Sequence, residues 1–281
     1  MKTVAVLYIC TGAYRVFWPT FYPNFRAHFL PDCQRTFFVF TDAQDLPFAD
    51  ADDVRIIPQE ALPWPYSTMQ RFEAFLGQED ALKDFDYLFF ANANLHCLGD
   101  LLSDELLPDA AAGQSLVAVC HKPYYGRPVQ FYPYERRAAS RAYIPYCAGQ
   151  YYVAGGLNGG TAAAYLAMCR ELRTRTREDL DHGVIARFHD ESQLNRLVAE
   201  DAAPFRILGP AYCCPEETPM DGERIRVLQK ARFLDVAAVK VSASAPVPFL
   251  RRKWEAFCEN YLPNVWYWRD KLLGRRVKRG E

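Results

Sequence analysis

The chain has 281 residues, half of them apolar and 24 % charged, and its formal net charge is -1. That suffices for one sizeable core, and the balanced charge gives no overall pull toward nucleic acid. Nine scattered cysteines, an odd number with no CxxC spacing, point to reduced buried thiols rather than a disulfide framework or a zinc site.

The N-terminal MKTVAVLYICTG is too short and too soon ended by a glycine turn for a signal peptide or a spanning helix. It predicts a first core strand, Val4–Cys10, closed by Thr11-Gly12. Aromatics at helical spacing predict a helix over Phe17–Leu30, stopped by Pro31. Strands follow at Arg35–Thr41 and Val54–Ile57. Past the proline-punctuated stretch around Trp64, Ser67-Thr68 predicts a cap for a helix over Met69–Leu76, continuing toward Leu82, with Arg71 in its first turns. Tyr87–Ala91 and Ser115–His121 are further strands. The rhythm predicts an α/β fold around a mostly parallel sheet. Ligands sit outside the carboxyl ends of such strands, so Thr11-Gly12 and Asn92-Ala93-Asn94, both at strand exits, can face one cleft.

The asparagine pair is chemically pointed. Each carboxamide has an acceptor and two donors but no charge, whereas Mg²⁺ and Mn²⁺ favour carboxylates. Two amides suit sugar hydroxyls or phosphate oxygens, and equally the turn hydrogen bonds of a polar strand end. Tyr124–Tyr152 is dense in Tyr, Pro and Arg and includes YERR. It leads into AGGLNGG, Ala154–Gly160, whose glycines permit close backbone approach but lack the GxGxxG spacing of a dinucleotide fingerprint. A helix is expected over Thr161–Arg175. In the following FHDESQLNRL, His189-Asp190-Glu191 can be a catalytic group or a helix cap, and the residue types alone favour the cap. His189 by itself reads as a structural histidine.

From Ser242 the character changes. SASAPVP reads as a linker, and Arg251-Arg252-Lys253 and Arg269–Arg279 bracket WEAFCENYLPNVWYW. Such a basic, tryptophan-bearing segment fits an anionic membrane surface or a terminal helix packed on the domain, with equal weight. The expected organisation is one domain over 1–241 and a basic aromatic tail over 242–281.

Several motifs together, LYICTG, WPYSTMQRF, DYLFFANAN, HKPYYG, YERR, AYIPY, YYVAGGLNGGT, HDESQLN and LGPAYC, resemble family 6 glycosyltransferases in residues and in order. That family holds the blood-group A and B transferases and the α-1,3-galactosyltransferase. The resemblance covers about residues 1 to 235, and Asn-Ala-Asn resembles its bacterial branch, which works without a metal. It implies a GT-A fold with a Rossmann-like half and a central donor/acceptor cleft. It implies retaining α-1,3 transfer of GalNAc or Gal from UDP to a galactose-containing acceptor, often fucosylated, in the cytoplasm or peripheral to the inner membrane. No cofactor beyond the UDP-sugar substrate is implied.

By the same resemblance Ile9, Cys10, Thr11 and Tyr14 fall where uridine is held, and Arg71 where an arginine reaches the donor. Asn92, Ala93 and Asn94 take the metal-binding positions. Ala154-Gly155-Gly156 falls on the triplet separating GalNAc from Gal users and resembles the GalNAc type. Asp190 falls near donor-sugar hydroxyls, Glu191 on the catalytic glutamate, and His121 and Phe188 on acceptor contacts. Lys230 and Arg232 fall near the basic residues that cover the diphosphate. The chain departs from the pattern at Pro133, Gln150 and Cys214-Pro215, which bear on the acceptor. A degenerate fold that binds a nucleotide sugar or glycan without chemistry is the competing class.

Overall fold

The computed structural model describes residues 1–239 and 262–277; the expected linker and first basic cluster, at 242–253, lie outside them. A seven-stranded sheet in the order β3-β2-β1-β4-β7-β6-β8 forms the centre. Its strands are β1 (Thr3–Ile9), β2 (Gln34–Thr41), β3 (Val54–Pro58), β4 (Tyr87–Ala91), β6 (Leu116–Cys120), β7 (Val153–Thr161) and β8 (Phe205–Leu208). Four of the contacts, β1–β2, β2–β3, β1–β4 and β6–β8, are parallel; β7 runs antiparallel to both β4 and β6. The architecture is thus the expected mostly parallel α/β sheet, consistent with a GT-A-like glycosyltransferase fold. Strands buried on both faces read as unbroken apolar runs, as in Val4–Tyr8, all fully buried.

One sheet face packs against an aromatic helix α1 (Trp18–His28), with Trp18, Phe21 and Phe25 in the core. The helix is shorter than expected because Gly12–Phe17 winds as a 3-10 turn ahead of it. The other face is covered by α2 (Arg71–Leu76), α3 (Ala162–Asp181) and α4 (His189–Glu200). Instead of one helix capped by Ser67-Thr68, the chain makes a turn at Tyr66–Met69, breaks at Gln70, and resumes at Arg71. Thr68 Oγ1 donates to the Pro65 carbonyl at 2.8 Å, inside the turn rather than as a cap. A small second sheet, β5 (Leu95–Cys97), β10 (Ile225–Val227) and β9 (Cys214–Pro215), extends from the exit of β4.

The glycine-rich AGGLNGG is the middle of a central strand, not a loop. Between Ala118 and Val119 of β6 the partner on β7 jumps from Asn158 to Ala154, so Gly155, Gly156 and Leu157 bulge out of that pairing. Bulges re-aim the chain beside functional sites. Here Tyr165 O–H donates to Asn158 Oδ1 at 2.8 Å, and Asn158 Nδ2 donates to the Gly155 carbonyl at 3.3 Å, fixing the bulge from beneath. Past it, Gly159 lies so close to β4 that a Cβ would stand 2.4 Å from Phe89 and 2.7 Å from the Leu88 carbonyl oxygen.

The C-terminal segment, helical over 262–272, lies against the tyrosine-rich stretch. Asp270 is fully buried and accepts from the Tyr146 N–H at 2.9 Å, while Asn264 Oδ1 accepts from Gln130 at 3.0 Å. YERR serves this scaffold. Glu135 accepts from the backbone N–H groups of Arg137 and Arg187 at 2.8 Å each, and Arg136 donates to the Ile144 and Pro145 carbonyls at 2.8 and 2.6 Å.

Gly159→Ala therefore has to push Phe89 and the β4 backbone apart. Overpacking of this kind costs about 1–3 kcal/mol or more. Chemical denaturation should show a lowered midpoint, and a wild-type midpoint would remove the close-approach explanation for this glycine.

Candidate active site

The carboxyl ends of β1 and β4 lie side by side, with Leu7 paired to Phe90. The two expected strand exits therefore share one cleft. Ile9 and Thr11 line a narrow groove with Ser67, Gln70 and Arg71. Cys10 is buried behind it; burial pushes its thiol up to about 12, so it is a packing residue and not a nucleophile. Tyr14 stands beside Lys230, whose Nζ is 3.2 Å from the phenol oxygen and 4.9 Å from the ring centroid. Burial, reinforced by Arg71, lowers the Lys230 ammonium to about 8, with Asp190 pulling the other way. Lys230, Arg71 and Asp190 thus act on one another electrostatically. Arg232 instead pairs with Glu216, which also accepts from the Gln229 N–H at 2.9 Å.

The acid pair lies in the first turn of α4, where the N-cap residue Phe188 makes no side-chain cap and the backbone N–H groups of residues 190 and 191 favour the ionised Asp190 carboxyl. Ser192 Oγ, one turn in, accepts from the Phe188 N–H at 2.9 Å. Asp190 Oδ2 meets Arg71 Nη1 at 3.3 Å, with both side chains nine-tenths buried. Burial raises the Asp190 carboxyl to about 6 against the opposing pull of Arg71. Glu191 Oε1 accepts from Tyr152 O–H at 2.7 Å, and Oε2 accepts from the Gly155 N–H at 2.8 Å. Burial raises its pKa, and these two donors oppose the rise. His189, immediately before the pair, has φ +53°, a left-handed conformation uncommon for a residue with a side chain.

The β7 bulge separates the acids from the asparagines. A Cβ on Gly155 would sit 3.2 Å from both Asp190 Oδ2 and Glu191 Cβ. A Cβ on Gly156 would point the other way, 3.7 Å from Asn92 Cβ and 3.6 Å from Cys213 Sγ, at ordinary contact distance. Ala154 is buried in the strand before them, and Ala93 is buried between the asparagines.

The asparagines are unequal. Asn92 anchors the strand exit to the bulge, its N–H donating to the Gly156 carbonyl at 2.8 Å. Asn94 is 1 % exposed: its Oδ1 accepts from Asn92 Nδ2 at 3.0 Å, and its Nδ2 donates to the Leu228 carbonyl at 2.6 Å. Its own carbonyl accepts from the Leu228 N–H at 2.8 Å. Asn94 therefore fastens the segment that carries Lys230. Among the described residues, no group of three or more His, Cys, Asp or Glu side chains could hold a metal ion.

On the far side of Glu191 lies an aromatic cluster. Tyr152 has ring centroids of His121, Tyr124 and Tyr134 at 5.8, 4.9 and 5.6 Å. Burial lowers the His121 pKa, and its buried Nδ1 lacks a hydrogen-bond partner among the described residues. Phe188 is half-buried, with the Arg187 guanidinium 5.4 Å from its ring. Tyr152 and Asn195 escaped the sequence reading. Asn195, fully buried, bonds both the N–H and the carbonyl of Val153 and ties α4 to β7. Nothing local signals either residue; each takes its role from a partner distant in sequence.

An aspartate at position 94 would set an unprotonated oxygen against the Leu228 carbonyl. Losing that donor and leaving the carbonyl unpaired costs about 1–3 kcal/mol. Asn94→Asp should lower the unfolding midpoint and speed hydrogen exchange at the Leu228 amide. Unchanged exchange there would show that the side chain does not anchor this segment.

The glycosyltransferase family 6 model matches residues 1–240. The O-antigen biosynthesis glycosyltransferase WbnI of Escherichia coli is 33 % identical over 68 % of this chain and 80 % of its own length. The human globoside alpha-1,3-N-acetylgalactosaminyltransferase 1 is 27 % identical over 77 % of the chain and 62 % of its own length. The rat histo-blood group ABO system transferase 1 is 27 % identical over 75 % and 60 %. The chain thus spans about three-fifths of the animal relatives' length. A family match running the length of the sheet and through the acid pair makes this chain a member of glycosyltransferase family 6, a hexosyltransferase family whose substrates are a nucleotide-sugar donor and a glycan acceptor.

Proposed function

We propose that the protein is a retaining transferase that moves GalNAc from UDP-GalNAc in α-1,3 linkage onto a galactose-containing acceptor, with fucosyl-α-1,2-galactose the first candidate, and needs no metal ion. The observation that carries this reading is Glu191, a half-buried carboxylate held by two donors and facing Gly155 on the bulge. Such a carboxylate stabilises positive charge developing at an anomeric carbon, either as an ion-pair partner or as the nucleophile of a covalent intermediate, and both routes retain configuration. The bond to UDP breaks with its electron pair leaving on the phosphate oxygen. The acceptor hydroxyl oxygen forms the new bond to the anomeric carbon, and its proton passes to the departing phosphate oxygen.

The departing diphosphate needs positive charge nearby, and Lys230 and Arg71 are the cations placed to supply it. Asn92 and Asn94 do not suit a divalent ion. They are neutral, and the Asn94 oxygen is already an acceptor for Asn92. In the GalNAc preference, Gly156 is the residue of interest, because it leaves space beside Asn92 that a side chain would fill. One of the named relatives, the human globoside enzyme, is an N-acetylgalactosaminyltransferase. A one-methyl difference in a pocket is worth only about 1–3 kcal/mol, so UDP-Gal is the second donor to try.

The test is UDP release from each donor with fucosyl-α-1,2-galactose, in EDTA and then in Mn²⁺. Acceptor-dependent turnover of UDP-GalNAc in EDTA is expected, and Glu191→Gln should lower it by about 10²-fold or more while UDP still binds. Turnover only with Mn²⁺ overturns the metal-free reading. Near-normal turnover in Glu191→Gln removes that residue from the chemistry.

A pH dependence follows from Lys230. Its ammonium loses its proton near pH 8 in the free protein, and a bound diphosphate raises that pKa. UDP binding then takes up a proton above pH 8, so affinity is full below that pH and falls as pH rises through it. Lys230→Arg should bind UDP with no such fall between pH 7 and about 9, since a guanidinium stays charged. Titration calorimetry across this range checks both.

A further inference from the structure

The helix over 262–272 has two unlike faces. One is docked: Pro263 and Asp270 are buried, and Asp270 receives the Tyr146 N–H while pairing with Arg269 and Arg275 at 2.8 and 3.2 Å. With 3.6 residues per turn, Val265, Trp268 and Leu272 form one stripe on the side away from Asp270. They are 56, 59 and 84 % exposed, and Leu273 beside them is 62 % exposed. Single exposed apolar side chains are ordinary, whereas a contiguous stripe marks a contact surface.

The border of the stripe identifies its occupant. Lys271 Nζ lies 5.0 Å from the Trp268 ring centroid and Arg276 follows, while Arg269 and Arg275 turn toward Asp270. The one acid of residues 262–277, Asp270, points inward. We propose that this face rests on an anionic bilayer surface, with Val265, Trp268 and Leu272 at the headgroup–acyl boundary and the flanking cations among lipid phosphates. Tryptophan and long basic side chains suit that boundary. A symmetric contact with a second copy fits less well, because it sets the same basic patch against itself. The helix is too short and too charged to span: among the described residues no helix is long and apolar enough to cross a membrane. This inference is independent of the transfer reaction. Its geometric consequence is that the helix holds the 129–148 stretch next to whatever surface it rests on, through Gln130 and Tyr146.

The experiment is co-sedimentation of the full chain with phosphatidylglycerol/phosphatidylcholine vesicles and with phosphatidylcholine vesicles alone. Binding to the anionic vesicles is expected, with loss in about 0.5 M salt. Two double variants, Trp268→Ser with Leu272→Ser and Lys271→Glu with Arg276→Glu, should each weaken it by about tenfold or more. Both leave the docked face intact, and unchanged circular dichroism verifies the fold. No binding to anionic vesicles, equal binding to neutral ones, or indifference to both variants overturns the proposal. So does a concentration-dependent dimer in sedimentation velocity that Trp268→Ser abolishes, which would assign the stripe to a second copy.

Discussion

A buried carboxylate beside a half-buried one in one helical turn favours the neutral form of both, and one guanidinium makes the burial of Asp190 tolerable. Arg71 Nη1 meets Asp190 at 3.3 Å and the Gly155 carbonyl at 3.1 Å, Nε donates to the Thr68 carbonyl at 3.2 Å, and the group lies 4.3 Å from the Phe90 ring centroid. It therefore joins the turn before α2, the exit of β4, the bulge of β7 and the start of α4. Removing one partner of such a buried pair costs about 3–5 kcal/mol, because the other charge is stranded. The rest of the site follows from where this charge sits. Arg71 meets Asp190, leaving Glu191 to be held by neutral donors, and it helps to depress the proton affinity of Lys230.

The same interaction explains what local sequence could and could not reveal. The apolar runs of β1, β2 and β4 announce themselves because both their faces are buried, and their exits locate the cleft. The break at Gln70 does not, since Met69–Leu76 has the composition of a continuous helix. It is the turn that leaves the Thr68 carbonyl free to receive Arg71. β7 escapes because glycine is poor strand material; it is a strand here because Gly159 must lie against Phe89. The acid pair looks like a cap to any reading of nearest neighbours. What turns both side chains inward are Arg71, Tyr152 and the Gly155 N–H, none of which is near in sequence. Only the family resemblance, which carries long-range information implicitly, points to Glu191.

The asparagines show how a site changes when two carboxylates are replaced by amides. Two aspartates at 92 and 94 would repel each other and the Leu228 carbonyl unless a cation lay between them. Two asparagines close the circuit alone: Asn92 donates to Asn94, and Asn94 donates to Leu228. This chain of hydrogen bonds ends two residues before Lys230. The Lys230 ammonium stands there beside the Tyr14 ring. Its proton affinity is lowered by burial, with Arg71 adding to the effect and Asp190 opposing it.

Glu191 is held from two sides, and the sides are different in kind. Oε2 receives the N–H of Gly155, on the bulge next to Asn92 and the β4 exit. Oε1 receives the phenol of Tyr152, whose ring belongs to the cluster with His121, Tyr124 and Tyr134. A carboxylate with one donor on each oxygen has its plane fixed, and each bond favours the ionised form against the burial that opposes it. The backbone on one side and the aromatic cluster on the other must therefore both be in place for the oxygen atoms to hold their positions. Asn195 makes the two supports move together: its carboxamide bonds Val153, between Tyr152 and the bulge, and also donates to the Glu191 carbonyl at 2.8 Å. Strand, helix and carboxylate are in this way tied by one set of hydrogen bonds, with Tyr152 the link from the aromatic cluster to the acid.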